Sequence, residues 1–408
     1  MTPEIEKRIK AVQAGRVPAG YKRTKVGIVP KEWDVQSFGE ISFKTGRKKK
    51  KEEDYPVYSI NNQKGFCSQA EQFENDGYAN TSKDSYTLVE KDTFAYNPAR
   101  INIGSIGLLK EPDKVIISSL YVCFGLNKNC NLSFFESYFK SHRFNYDVSN
   151  YTEGSVRQYL FYDNFSKINV AIPPLSEQKK IAEILATQDG VIELKEKLIA
   201  EKQSQKKYLM SVLLGDDFKK PFKLNSVTID KKKWEKKKLG EIATLKTGSL
   251  PQSINNVGPY YYVNAGCENS GYTDSFNCEG NVITTPSRGQ GGIGEVFYQE
   301  KPFWLGPLSY KIMVLKDISV KYVFYAMLFY KRKIKDEMKT GSIPAVNAGD
   351  LEKIKYNLPS LPEQKAIADV LSAADEEISL LQKGLEQEKL KKKSLMQLLL
   401  TGLVRVNE

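Results

Sequence analysis

The sequence predicts an α+β protein: two similar mixed α/β domains separated by a pair of long antiparallel coiled-coil helices, with pseudo-two-fold symmetry. Three observations lead there. PPLSEQKKIAEIL at 173–185 returns as PSLPEQKAIADVL at 359–371. Each copy opens an extended heptad pattern, and each is preceded by short strand-like runs and turns that match their counterparts only faintly.

In chain order, residues 1–172 are expected to form the first domain, 173–215 the central long helix, 216–358 the second domain and 359–408 the closing long helix. TPEIEKRIKAVQAG has a Thr at the capping place, a Pro in the first turn and a closing Gly, which predicts a short extra helix. Packing near the C-terminal helix, so as to close a pseudo-symmetric ring, would suit it. Inside the domains the repeat is ordered. WDVQSFGEISFKTG from Trp33 faces WEKKKLGEIATLKTG from Trp234, and YSINNQKGF at 58–66 faces YVNAGCENSGY at 262–272. NPARINIGSIG at 97–107 faces TPSRGQGGIG at 285–294, and EGSVRQYL at 153–160 faces TGSIPAVN at 340–347. VIISSLYVCF and YKIMVL read as β-type runs, SFFESYFK and VKYVFYAMLFYKRKI as helices.

In the long helices Pro173 and Pro359 block helix upstream, while Glu177 and Glu363 stand in the first turn, where the helix dipole favours an anion. Ser360 and Glu363 have capping-box spacing. The expected seam runs through Ile181, Leu185, Ile192, Ile199, Leu209 and Leu213 in the first helix. In the second it runs through Ile367, Leu371, Ile378, Leu381, Leu385, Leu395 and Leu399. Both seams carry a polar break at matching places, Lys202 and Lys206 against Glu388 and Lys392. A period of 3.5 sustained over this length argues for the helices pairing with each other rather than each lying only on its own domain. At 1.5 Å per residue, about 40 residues span roughly 60 Å, enough for a spacer. Ile184, Val191, Leu194, Leu198, Val370, Leu380, Leu398 and Leu400 lie off the seam and could face the home domain or accept helices of another subunit.

The chain of 408 residues has an apolar fraction of 40%, enough for two or three cores. Lys and Arg number 61 against 49 Asp and Glu, a net charge of +12, with 11% aromatic residues, so a polyanion such as nucleic acid is the expected partner. No run approaches the length of a spanning helix and the N-terminus lacks a signal-peptide core, so a cytoplasmic protein is expected. Cys67, Cys123, Cys130, Cys267 and Cys278 show no C-x-x-C, and His142 is the only histidine, which argues against a zinc site, a disulfide framework or a histidine-based triad. GQGGIG at 289–294 fits a dinucleotide pattern by letter, but EVFY follows where a helix is needed. There is no phosphate loop, and no metal, cofactor or catalytic centre is expected.

Basic clusters recur: RKKKK at 47–51, KKKWEKKK at 231–238, KRKIK at 331–335 and KLKKK at 389–393. Such runs are often solvated faces, yet two lie near the Thr-Gly segments, in loops where a phosphate backbone could be gripped. Arg100 and Arg288 stand at matching places in P-x-R before a Gly-rich loop. Each could reach phosphate or guanine, or could equally hold its loop through carbonyl bonds.

P-x-L-x-E-Q-x-x-I-A opening a long helix in mid-chain and again at the end, each time after a variable domain, resembles the specificity subunit of type I restriction-modification systems. The likeness takes in the lead-in GYKRTKVGIVPKEW at 20–33 as well. The resemblance implies two target recognition domains, each reading one half of a bipartite, asymmetric DNA sequence in the major groove. It implies that the paired helices set the distance between them and dock modification subunits that bind S-adenosylmethionine and methylate adenine. ATP-using restriction subunits would join that assembly, and this chain would itself be noncatalytic.

Base or backbone contacts are expected from Arg47, Lys48, Asn61, Asn62, Lys64, Arg100, Asn102 and Arg157 in the first domain. In the second they are expected from Thr247, Gln252, Asn264, Arg288, Gln290 and Asn347. Two other readings compete: a DNA methyltransferase with unrecognised motifs, and a coiled-coil adaptor whose basic charge is incidental.

Overall fold

The computed structural model describes residues 2–68, 85–154, 158–218, 220–289, 292–339 and 344–406. The chain divides into two compact units, Met1–Leu194 with Leu385–Glu408, and Lys195–Gly384. The division cuts both long helices, Leu175–Leu214 and Leu361–Leu399. Each unit therefore holds one mixed α/β body, the start of one long helix and the end of the other.

In the first unit the helix Pro3–Gln13 begins after Thr2, whose hydroxyl makes no capping bond, and has Pro at its start with Glu4 and Glu6 in the first turn. Arg8 from this helix donates to the Leu403 carbonyl at 3.2 Å and lies 5.4 Å over the Tyr21 ring. The Tyr21 hydroxyl donates to the Gly402 carbonyl at 2.6 Å. The helix thus sits against the residues that follow the second long helix. Strands Ile106–Leu108, Phe94–Tyr96, Val122–Leu126 and Ser42–Lys44 form an antiparallel sheet in that order. Lys114–Ile117, Thr87–Glu90 and Arg47–Lys48 form another. VIISSLYVCF is therefore two strands, joined by a turn closed by the Tyr121 N–H to the Ser118 carbonyl at 3.1 Å. Helices Leu132–Tyr138 and His142–Tyr151 are capped by Asn131 and Ser141, whose side chains accept from Phe134 N and Phe144 N. Trp33, Phe38, Phe94, Phe124, Phe134, Phe139 and Phe165 are buried together, with Phe38 stacked on Phe165 at 4.5 Å.

In the second unit Ala243–Thr247, Ser309–Val314, Val282–Pro286 and Phe297–Gln299 make the matching antiparallel sheet. Beside it Tyr260–Val263 pairs antiparallel with Tyr272–Thr273 and parallel with Trp304–Leu305. Helices Val320–Phe329, Lys331–Asp336 and Ala348–Lys353 complete the body. Its core is mainly aliphatic where the first is largely aromatic, built on Leu239, Ile242, Ile283, Ile312, Val323 and Leu351 with Tyr322, Tyr325 and Tyr356.

The recurring Glu-Gln pair explains how each body holds its long helix. Glu177 accepts from the Trp33 indole at 2.9 Å, and Glu363 accepts from the Trp234 indole at 3.1 Å. The Gln178 side chain accepts from Asn131 N at 2.7 Å and donates to the Pro173 carbonyl at 2.9 Å. Gln364 accepts from Ser319 N and donates to the Pro359 carbonyl, both at 2.8 Å. Each Gln thus ties the cap of a domain helix to the first turn of a long helix, and all four side chains are buried. Ser360 donates its N–H and hydroxyl to Glu363 at 3.0 and 2.7 Å, the reciprocal arm of a capping box.

Within each unit the helix segments run antiparallel. In the first, Gln188 donates to Glu388 at 2.9 Å and Asp189 pairs with Lys392. In the second, Lys206 pairs with Asp375 at 2.5 Å and Lys202 with Glu377 at 2.6 Å. Ile181, Leu185 and Leu399 join the first core and Leu213, Ile367 and Leu371 the second, with Leu395 and Leu209 packed against them. Ile199, Ile378 and Leu385 are buried, and Ile192 and Leu381 half-buried. Off the seam, Ile184 and Val370 face the cores of the domains that precede their helices, Leu400 packs instead into the core of the first body, and Leu194, Leu198 and Leu380 are exposed.

Candidate nucleic-acid interface

In the first body the hairpin Tyr58–Asn61 with Gly65–Ser68 lies against the turn after Arg100. Ser105 Oγ donates to the Ile60 carbonyl at 2.8 Å, and a Cβ added at Gly107 would stand 2.7 Å from Gly65 Cα, so only glycine admits this approach. The turn itself is a short 3-10 helix, Ile101–Ile103, that ends at Gly104 with φ +90°, a conformation glycine adopts freely. This packing sets the turn of Asn61, Asn62 and Lys64 beside the turn of Arg100 and Asn102, where a Cβ added at Gly104 would stand 3.6 Å from the Asn62 carbonyl oxygen. Asn61 uses its side-chain oxygen to accept from Gln63 N at 2.6 Å and Lys64 N at 3.2 Å, shaping the turn that presents Asn62 and Lys64. Arg47 and Lys48 are exposed on the edge strand of the other sheet. The Arg47 guanidinium grips both carboxylate oxygens of Glu53, and its hydrogen bonds hold the Glu53 carboxyl down at about 2. Arg47 is thereby engaged within the body, whereas the exposed Arg100 guanidinium has no partner among the described residues.

In the second body Arg288 is likewise exposed, with no side-chain partner among the described residues. Its backbone bridges Ala345, which sets Arg288 beside the segment leading to the exposed Asn347. In both bodies the two segments are joined by a backbone bond, displaced by one residue between the copies: Val346 N donates to the Ser287 carbonyl at 2.9 Å, and Leu160 N donates to the Pro98 carbonyl at 3.1 Å. The paired strings noted in the sequence are therefore neighbours in space. Thr247 and Gln252 are exposed. Asn264 is half-buried, and its side-chain oxygen accepts from Leu308 N at 2.9 Å, so it pins the turn that follows the Trp304–Leu305 strand. Arg157 and Gln290 lie outside the described residues.

Sequence reasoning passed over the exposed apolar residues Leu250, Ile254 and Val257 around Gln252, for no periodicity marks a loop residue as exposed. It also placed the lysines of 231–238 in a loop. The structure puts Lys231–Lys233 in a 3-10 turn and Glu235–Lys238 in a strand. Burial alone pushes the Cys123 thiol up to about 12 and the Cys130 thiol up to about 11, as suits packing residues. His142 is exposed at the start of its helix. Among the described residues no group of His, Cys, Asp and Glu is placed to hold a metal, and no helix is long and apolar enough to cross a membrane.

The family model for the type I restriction modification DNA specificity domain matches this chain twice, at residues 30–202 and 231–390. The chain belongs to that family. Each match runs from just before a Trp through most of a long helix, so the Trp–Glu tie of each body lies inside a specificity domain. The specificity subunit of the type I restriction enzyme MjaX of Methanocaldococcus jannaschii is 25% identical, over 95% of this chain and 97% of its own. That of MjaVIII from the same organism is 26% identical, over 93% and 94%. The type I restriction-modification S subunit of M. genitalium shares the fold, with a TM-score of 0.62 over 90% of this chain and 96% of that one, at 19% identity. As a DNA specificity component of a restriction-modification assembly, the chain has a noncatalytic role.

Proposed function

We propose that each body reads one half of a bipartite, asymmetric duplex sequence, with recognition residues drawn from 1–172 and 216–358. The observation that carries this is the pair of exposed arginines, Arg100 and Arg288, which have no side-chain partner among the described residues and stand at matching places, each just after a segment joined by a backbone bond to the stretch that precedes its long helix. A free guanidinium fork suits guanine or phosphate. The frames match while the loop residues differ, so the two half-sites differ. Exchanging one domain for that of another specificity subunit changes one half of the methylated sequence and leaves the other intact; a change in both would sink the modular reading.

The long helices act as spacer and as the docking surface for methyltransferase subunits, with methylation and ATP-dependent translocation and cleavage carried out by partner subunits. Support comes from the antiparallel pairing and from the exposed Leu194 and Leu380, which occupy equivalent places in the two copies. Deleting matched blocks from both helices shortens the untouched spacer in the methylated target. The purified chain alone binds neither S-adenosylmethionine nor ATP, and calorimetry with each tests this directly.

A further inference from the structure

In the second unit Glu235–Lys238 pairs antiparallel with Lys355–Leu358, the strand that leads into the second long helix. The register sets Lys238 opposite Lys355 and Lys236 opposite Asn357. Opposed residues of an antiparallel pair share a face, and alternate residues along a strand share it too. Lys236, Lys238 and Lys355 therefore stand together on one face of the ribbon, and all three are exposed. The other face carries the buried Tyr356 and the ion pair of Lys237 with Glu235 at 3.0 Å. None of the three lysines has an ion pair among the described residues. Lys333 comes up at the margin, its ammonium donating to the Lys355 carbonyl at 3.2 Å. Two carboxylates lie beside the strip and keep their charge: Asp216, which accepts from the amide of Asn357 on this same face at 2.9 Å, and Glu241, which accepts from the Lys238 N–H at 2.5 Å; three lysines against two acids leave the margin basic.

Like charges directly opposite on a ribbon are destabilising, so a structural account needs a reason for them. The first unit shows that the fold supplies none. There Asp34–Ser37 pairs with Asn169–Ile172 in the same register, with Ser37 opposite Asn169 and Val35 opposite Ala171. The same ribbon is thus built twice, neutral on this face in one body and triply basic in the other.

We propose that this lysine face of the second unit is a sequence-independent docking strip for the phosphate backbone of duplex DNA, present on one body only. Lysines two residues apart on a strand are spaced by roughly 7 Å, and their flexible ammonium groups act as point charges that suit phosphate and read no base. Interfaces between proteins are depleted in lysine, which disfavours an acidic protein as the occupant. The inference rests on the chain being a DNA reader and adds an asymmetry to it: at this ribbon the second body presents lysines to the backbone, and the matching face of the first body carries no charge.

The test is salt-dependent binding of the full chain to a random-sequence duplex of about 30 base pairs, followed by fluorescence anisotropy. Lys236→Gln, Lys238→Gln and Lys355→Gln combined weaken binding about tenfold at low salt and make the log–log salt slope shallower by roughly 2 to 3. Lys238→Gln alone takes away about one unit of slope. Removing the same charge from the second long helix, by Lys365→Gln, Lys383→Gln and Lys393→Gln, leaves most of the slope in place. Unchanged affinity and slope in the ribbon variant, or an equal loss in the helix variant, overturns the proposal. So does retained random-sequence binding with lost target discrimination. A wild-type chain that binds no duplex at any salt would overturn the DNA-reader reading along with it.

Discussion

Lys206 and Asp375 make, in the second unit, the ion pair that Lys392 and Asp189 make in the first. Lys206 and Lys392 occupy equivalent places in the two copies, as do Asp189 and Asp375, so each unit sets the same antiparallel register with the same two side chains. The polar break in both heptad seams is where these pairs sit, joined by Lys202 with Glu377 and Gln188 with Glu388. An apolar seam tolerates sliding by whole heptads, whereas a charged pair at one level does not. Asp375 is held further by the Tyr325 hydroxyl at 2.8 Å.

Reversing one charge tests that register. Lys206→Glu sets two carboxylates against each other beside Tyr325 and is expected to lower stability by about 1 to 3 kcal/mol. Adding Asp375→Lys restores the pair and at least half of the loss. A double-mutant cycle from urea unfolding measures the coupling, and no recovery in the double variant would mean that the pair does not set register.

Glu177 is the point at which the first body, its long helix and the C-terminal residues converge. Its carboxylate takes the Trp33 indole and two bonds from Arg405 at 2.8 and 3.0 Å, while Arg405 also reaches Glu32 at 2.5 Å. Glu177→Ala leaves a buried indole N–H and a largely buried guanidinium without their acceptor, which costs about 3 to 5 kcal/mol. Arg405→Ala removes Arg405 alone from the network, leaves Glu177 its bond from Trp33, and is expected to cost less. Urea unfolding curves of the two variants, followed by far-ultraviolet circular dichroism, rank them.

The doubled helix start and the seam were legible because they are periodic and local: every seam residue the sequence named is buried or half-buried. What the Glu-Gln pair does was not legible. Glu177 was read as a dipole partner, but its main bonds go to Trp33 and Arg405, contacts that no spacing reveals. The unit boundaries were hidden for the same reason, since antiparallel pairing joins the start of one copy to the end of the other. Among the candidate contact residues, exposure could be guessed but engagement could not. Arg47 and Asn264 turned out to be occupied by Glu53 and Leu308 N, and nothing in their own segments distinguishes them from the free Arg100.

Glu363 gives the second unit a predictable response to acid. Burial pushes its carboxyl up, but bonds from Asp230 N–H, Ser360 and the Trp234 indole outweigh that and leave it below the ordinary value of 4.5. A carboxyl depressed in the folded state contributes stability that is complete above the unfolded value and is lost as pH falls through the folded one. Stability of the second unit should therefore fall on acidification below about pH 4.5. Glu363→Gln, which keeps the shape without the charge, should be less stable at pH 7 and flatter across pH 3 to 6. Urea midpoints of the two proteins over that range decide it, and parallel curves would dismiss Glu363 as the source.

Arg100 and Arg288 permit the most direct test of division of labour between the bodies. Both are exposed and have no side-chain partner among the described residues, so truncation to Ala removes no side-chain bond to them. Global stability is expected to shift by no more than about 0.5 kcal/mol. A guanidinium bidentate on guanine contributes about 1 to 3 kcal/mol of discrimination, whereas one on phosphate lowers affinity for every sequence alike. Arg100→Ala is expected to relax one half of the methylated target and leave the other unchanged, and Arg288→Ala to do the reverse. Sequencing methylated sites from cells carrying each variant with its partner subunits reads both halves at once. Relaxation of both halves by a single substitution would show that the arginines act on the duplex as a whole, through backbone charge, and not as readers of separate half-sites.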